Sequence, residues 1–412
     1  IYRGEDQEQS INRNCAVYAH IGICTCMCTH KPYQHKLQTY RGVDQEQPKG
    51  RTKKELCPGG TRYLFSLVIG GMQGAGVAAE EPLKQLYLTA ADAGTHAAAR
   101  WALLQQDVSS DALDRMIEKS SEAETDSGAR DWYVTPGLVK QPNNSSSVAG
   151  FTMVRIKSVP GFELGAVAGD VGDKDPGEED RSQWTAEDKL PVSEFWLSDR
   201  EVSVVQFRAL CPEWYAAVVD SDGKLGGIEV QDREPVRNVN WYEALIFCNR
   251  LSRAHGFAAY YLMNEGEYDW EQGVLKEGGK FPTVIDANGV GYRLPSEREW
   301  EYGCRALSVQ AYSFGQDPNL LSFFAWYAGK SSPTICGSQR PSRWGLSDMH
   351  GNVWEWCWDQ YDATAEASSG SRVLRGGSFV NVDPDYLRSA IRNYDSPEYR
   401  GLNYGIRLSR TK

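Results

Sequence analysis

Residues 343–361 read RWGLSDMHGNVWEWCWDQY, a run of tryptophan, glycine and short polar residues that suits short strands and tight turns. Upstream, GYRLPSEREWEYGCRAL (from Gly291) opens a helix after a strand: Ser296 caps the first turn, Glu299 completes a capping box, and Trp300 begins the buried face. Downstream comes RVLRGGSFVNVDPDYLRSAIRNYDSPEYRGLNYGIRL (from Arg372), and the order and spacing of the three blocks is highly specific. The whole chain shares this composition, with 13 Trp, 21 Tyr and 40 Gly beside only 6 Met. It describes a rigid, loop-rich protein rather than a helical bundle.

The 412 residues leave room for two or three domains, and 41% apolar residues are ample for a buried core. Lys plus Arg is 44 and Asp plus Glu is 55, so the formal charge is 44 − 55 = −11. That sum offers a phosphate backbone no attraction, and a general nucleic-acid binder is excluded as the leading reading.

Of the 10 cysteines, five fall within the first 57 residues. Cys24, Cys26, Cys28 and His30 alternate as C-x-C-x-C-x-H, a spacing too tight for the usual structural zinc pair. Residues 1–80 read as a poorly ordered leader, marked by the near repeat YRGEDQEQ and YRGVDQEQ. The first residue is Ile, which points to processing, a fragment or a misplaced start. Basic residues before YLFSLVIGGMQGAGVAA (from Tyr63) give the order of a secretory signal, so export follows if translation begins near residue 50. The apolar run is too short to span a bilayer.

Apolar periodicity predicts two or three short helices over 81–120, and the polar stretch 121–149 reads as a linker on which Trp132 and Tyr133 provide anchors. A second domain is expected over 150–412. Its strand-like runs are FTMVRI (from Phe151), GFELG (from Gly161) and LPVSEFWLS (from Leu190), with an acidic, solvated loop from Gly169. EVSVVQFRAL (from Glu201) and NWYEALIFCNRLSRAHG (from Asn240) have helical spacing.

Together these blocks, with EFWLSDREVSVVQF, PVRNVNWYEALIFCNRLS and the YSFG at Tyr312, resemble the formylglycine-generating-enzyme family, also called the sulfatase-modifying-factor domain. The resemblance runs from about Phe151 to Lys412. It implies an α+β, C-type-lectin-like fold with sparse regular secondary structure, here preceded by a small helical segment. That segment, followed by DWYV, is similar to what precedes this domain in some planctomycete kinase-associated proteins, although no kinase motif is present.

The family's enzymes oxidise a substrate cysteine with O₂ and a copper ion held by two thiolates, since soft Cu(I) prefers sulfur. The second thiolate lies in a stretch of the form R-C-A-x-R. Here that stretch is Arg388-Ser389-Ala390-Ile391-Arg392, so the position carries Ser389; the first, five residues earlier, falls on Pro384. No Cys follows Cys357, and copper is not expected. Cys304 and Cys357 read as core. A hydroxyl neither binds Cu(I) tightly nor cycles through thiolate redox states.

Calcium is the cation the resemblance still allows. Asp348-Met349-His350-Gly351-Asn352-Val353-Trp354-Glu355 resembles the family's calcium loop, which implies side-chain ligands Asp348 and Glu355 with the backbone carbonyls of Gly351 and Val353. In the other reading Glu355 anchors the loop through backbone groups or a nearby Arg.

The last forty or so residues carry more Arg than Asp and Glu, which predicts a locally basic end in which Arg388, Arg392 and Arg407 serve the framework. Between them Val380, Val382, Tyr386, Ile391, Tyr394, Tyr399, Leu402 and Tyr404 are the candidate ligand-binding residues, because Tyr and Leu on a rigid scaffold are what binding surfaces use. The expected function is a non-catalytic domain that binds a protein, peptide or glycan through this surface. The alternatives are an oxidase with relocated thiols, or a lectin-fold receptor diversified by a retroelement, whose carboxyl-terminal block looks much like this one.

Overall fold

Three helices open the structure, a computed structural model that describes residues 80–118, 130–138, 148–165, 189–280, 282–284, 289–361 and 370–412. The expected leader, its signal-like segment and the C-x-C-x-C-x-H run lie outside these residues, as does nearly all of the acidic loop. The described residues fall within one compact unit, Cys57–Lys412.

Helix α1 (Glu80–Thr89) carries acidic residues in its first turn and buries Leu83 and Tyr87. Helix α2 (Ala93–Leu104) starts at Asp92, whose side chain accepts the Thr95 N–H at 2.8 Å. Its alanines allow close approach, and nearly every residue is buried. Helix α3 (Ser110–Glu118) follows.

These helices share a core with the domain behind them, since Leu83, Ala99 and Leu103 cluster with Val154, Ile156, Trp300 and Met349. The stretch expected to be a linker supplies part of that joint. Trp132–Val134 forms strand β1, antiparallel to β2 (Thr152–Ile156). Trp132 is 1% exposed and its Nε1–H donates to Ala90 O at 2.7 Å. His96 stacks between Tyr87 and Trp132, with ring centroids 4.7 and 3.8 Å away.

The main sheet has the order β1-β2-β3-β9-β4, where β3 is Phe195–Ser198, β4 is Tyr292–Arg293 and β9 is Ser409–Thr411. All its pairings are antiparallel, and Leu197 meets Ser409 in register. A second sheet runs β7-β6-β5-β8, with β5 at Trp354–Gln360, β6 at Arg372–Arg375, β7 at Arg392–Asp395 and β8 at Tyr404–Gly405. Its β5–β8 pair is parallel.

Helices α4 (Val204–Leu210), α5 (Pro212–Val218), α6 (Trp241–Ala254) and α7 (Glu297–Arg305) pack around these sheets. Helix α7 has the expected capping box: Ser296 Oγ accepts the Glu299 N–H, and Glu299 accepts the Ser296 N–H. Helix α6 uses Asn240 and Glu243 in the same way. Several buried tryptophans use the indole N–H as a tie between segments. Trp241 donates to Cys357 O and Trp356 to Val239 O, both at 2.9 Å.

Two substitutions test how the helices are joined to the domain. Gly345 has φ +85°, and a Cβ there would lie 2.4 Å from Ala93 O. Gly345→Ala is expected to cost at least ~1–2 kcal/mol from the left-handed backbone alone, seen as a lower thermal midpoint. His96 donates from Nδ1 to Tyr87 O, its Nε2 has no partner, and burial pushes its pKa down to about 3. Between pH 6.5 and 3 the unfolded chain therefore holds a proton that the folded one lacks. Stability should fall with pH across that window, by up to ~1.4 kcal/mol per unit from this residue, and urea titrations of His96→Gln should show a flatter slope.

Candidate functional site

The loop from Asp348 to Glu355 is tied to distant parts of the chain. Asp348 (φ 59°) and Gly351 (φ 94°) both adopt left-handed backbone, and a Cβ on Gly351 would lie 2.6 Å from Trp326 O. Gly351 N–H donates to Gly376 O at 2.7 Å and Asn352 N–H to Trp326 O at 2.8 Å. Asp348 Oδ2 accepts the Gly337 N–H.

Glu355 is fully buried on β5 and faces Arg407, also fully buried. Arg407 Nη2 donates to Oε1 at 2.7 Å and Nε to Oε2 at 2.9 Å, while Trp300 Nε1 donates to Oε2 at 2.6 Å. The guanidinium also donates to Ser198 O at 2.9 Å and Ser347 O at 2.8 Å. The anchoring reading of Glu355 is the one the geometry supports.

Of the expected calcium ligands, Glu355 is already engaged by protein donors. Both oxygens of Glu355 are occupied, and a guanidinium stands where the cation would share that carboxylate. Val353 is fully buried, with its N–H on Glu201 Oε1 at 3.4 Å. Asp348 also faces the Glu201 carboxyl. Burial and the neighbouring carboxylates Asp348 and Glu355 push Glu201 well above the usual range, and burial raises Asp348 to about 6. Among the described residues no group of three or more His, Cys, Asp or Glu is placed to hold a metal.

Glu201 is the member that the sequence reading missed. It accepts Asn352 Nδ2 at 2.9 Å as well as the Val353 amide. Its signal was present in the EVSVVQF block but carried no role there.

The two positions that hold thiolates in the family's enzymes lie on one loop. Pro384 O accepts the Tyr312 hydroxyl at 3.1 Å. Ser389 is fully buried, and its N–H donates to Ala311 O at 2.7 Å. The backbone around it is rigid: Arg375 donates to the carbonyls of Ser389, Ala390 and Ile391 at 2.6–2.9 Å and to Glu301 Oε2 at 2.5 Å. A thiol faces this position: Cys304 Sγ donates to Ser389 Oγ at 3.5 Å. Burial raises that thiol to about 12, so it remains protonated. Its sulfur lies 4.0 Å from Nδ1 and 3.8 Å from Nε2 of His350.

The eight candidate ligand-binding residues divide. Val380, Val382, Tyr386, Tyr394, Tyr399 and Leu402 are exposed, Val382 the most at 72%. Ile391 is 2% exposed and belongs to the core cluster with Trp356 and Leu374, which removes it from any surface. Tyr404 is half-buried against the same core, its hydroxyl donating to Asp395 Oδ2 at 3.1 Å. Asn403 joins the two parts of the surface through Nδ2 to Ser378 Oγ at 2.8 Å.

Arg388, Arg392 and Arg407 serve the framework as expected, and the pairing leaves this end less basic than its charge sum. Arg375 and Arg407 are fully buried, Arg392 pairs with Glu297 at 2.6 Å, and Arg400 pairs with Glu243. Arg388 lies inward, with Nε donating to Asp385 O at 3.2 Å. Pairing partners far away in sequence absorb the positive charge.

Residues 140–412 match the sulfatase-modifying factor enzyme 1-like domain family, and the chain belongs to it. Among similar proteins is the chaperone protein LppX of Paenibacillus barcinonensis, 26% identical over 242 residues, covering 54% of this chain and 82% of the relative. The formylglycine-generating enzyme of Streptomyces coelicolor is 33% identical over 152 residues, 30% of this chain and 48% of its own length. The inactive C-alpha-formylglycine-generating enzyme 2 of Bos taurus is 36% identical over 159 residues, 33% and 52% respectively. The chain thus spans about half the length of these last two relatives. No helix among the described residues is long and apolar enough to cross a membrane.

Removing one partner of the central pair leaves a buried charge uncompensated. Glu355→Gln should lose about 3–5 kcal/mol in equilibrium urea unfolding, and the double variant Glu355→Gln/Arg407→Met should recover part of that loss. Thermal midpoints in chelator and in millimolar calcium should coincide; a rise with calcium would mean that the loop opens to admit the ion.

Proposed function

We propose that this protein is a non-catalytic member of the family that binds a protein, peptide or glycan ligand through its carboxyl-terminal surface. The observation that carries the reading is the substitution of both thiolate positions by Pro384 and Ser389 within an intact scaffold. Soft Cu(I) has no pair of sulfur ligands there. The framework arginines still hold the loop in place, and the side chains beside it, Val380, Val382 and Tyr386, remain exposed. A rigid surface that keeps apolar and aromatic groups in water is suited to binding.

The competing reading, a formylglycine-generating oxidase with relocated thiols, needs Cys304 or Cys357 as a thiolate. Burial raises both thiols, which opposes ionisation. The relatives include a named chaperone and a named inactive enzyme, and also a named formylglycine-generating enzyme. The sequence neighbourhood therefore accommodates both behaviours, and the thiol positions favour binding.

The experiment incubates the full chain with copper, O₂ and a C-x-P-x-R peptide and follows the peptide by mass spectrometry. The expected outcome is unchanged cysteine. Formation of formylglycine that disappears in Cys304→Ser or Cys357→Ser, with the fold retained, would overturn the proposal in favour of the oxidase.

A further inference from the structure

We infer that the carboxyl-terminal face recognises a cationic polypeptide segment, one presenting Arg or Lys side chains, through tyrosine rings and carboxylates around Tyr394 and Tyr399. The inference rests on the reading of this face as the binding surface and names the chemistry of its ligand.

The tyrosines are held in position. Tyr394 packs at a tilt against Tyr361, with centroids 4.2 Å apart, yet is 51% exposed. Tyr399, 52% exposed, meets Tyr404 edge-on at 5.8 Å, and Tyr404 is fixed by its hydrogen bond to Asp395. Glu398 between them is exposed, and its carbonyl accepts Asn240 Nδ2 at 3.2 Å, so the backbone under its side chain is anchored. Rings restrained in this way lose little freedom on binding.

The charge around them is negative because the local arginines are already consumed. Arg392 is held by Glu297 and Arg400 by Glu243. Two neighbouring turns add carboxylates. Leu402 lies against Gly226, where a Cβ would be 2.8 Å from its Cδ2, and this brings up the hairpin of Lys224–Leu225 and Ile228–Glu229 with exposed Asp222 and Glu229. Arg400 donates to Trp270 O at 2.5 Å, which brings up exposed Glu271. Lys224 stands opposite Glu229 in register and offsets it, so the carboxylates left in excess are Asp222, Glu271 and Glu398.

Aromatic faces rimmed by carboxylates suit a guanidinium or ammonium group, which gains from the ring quadrupole and the anionic field together. The fold itself uses this contact nearby: Arg392 sits 4.6 Å over the Tyr361 ring and Arg372 4.1 Å over Trp241. A glycan could stack on the same tyrosines, but a neutral sugar gains nothing from the excess negative charge. That excess decides for the cation.

The test uses the full chain with fluorescein-labelled octa-arginine, its citrulline isostere and a glycan array, in low and moderate salt. Octa-arginine should bind at least tenfold more tightly than the citrulline peptide and weaken as salt rises. Tyr399→Ala and Glu398→Gln should each weaken it by about two- to fivefold, whereas Leu190→Ala, exposed outside this face, should not. Equal binding of the citrulline peptide, or octa-arginine binding unchanged in Tyr399→Ala and Glu398→Gln, overturns the inference. If a neutral glycan binds instead and Tyr394→Ala or Tyr399→Ala abolishes it, the cationic ligand is wrong and the binding face stands. If the substitutions affect neither class of ligand, both readings of this face fail.

Discussion

The buried pair Glu355–Arg407 is the constraint on which the rest of the structure depends. A carboxylate and a guanidinium removed from water are tolerated only when their remaining hydrogen-bonding positions are filled. Here they are filled by Trp300 from α7, Ser198 at the end of β3 and Ser347 from the loop before β5. One ion pair therefore fixes a helix, two sheets and a long loop relative to each other. Such a tie suits a fold with short strands, where backbone ladders alone offer few bonds per element.

Beside it, Glu301 repeats the principle with two cations, Arg305 at 2.7 Å and Arg375 at 2.5 Å. Arg375 extends this network to the carbonyls of the 389–391 loop, so the backbone geometry there does not depend on a thiol. The scaffold and the reactive groups are separable, because carbonyl oxygens hold the loop whichever side chain stands at residue 389. The proposed binding role would require the first and not the second.

Local features were legible in the sequence, and pairings between distant residues were not. The capping box of α7 spans only Ser296 to Glu299, and the strand-like runs near 152 and 195 carry their own apolar residues. Strand β1 was hidden because Trp132–Val134 is a three-residue edge within a polar stretch, and its partner determines it. The candidate surface was partly readable. Six of its residues reach solvent, while Ile391 turns inward between the carbonyls bound by Arg375 and the strand that follows. The arginine-rich end is less basic than its charge sum for a related reason: the sum counts Arg375, Arg392, Arg400 and Arg407 but not Glu301, Glu297, Glu243 and Glu355, which neutralise them from far upstream. Glu201 escaped notice because nothing in its neighbours shows that it lies against Asn352.

The position of β9 has a kinetic meaning. Its neighbours in the sheet, β3 and β4, precede it by long stretches of chain, with Leu197 registered against Ser409. A sheet whose inner strand arrives from so far away must close large loops before its ladder and the Arg407 contacts reward the loss of chain freedom. Topology of this kind favours slow folding. Once Ser409–Thr411 is inserted, release requires breaking pairings on both sides along with the adjacent buried ion pair. The topology that lengthens the search also holds the finished strand from both sides.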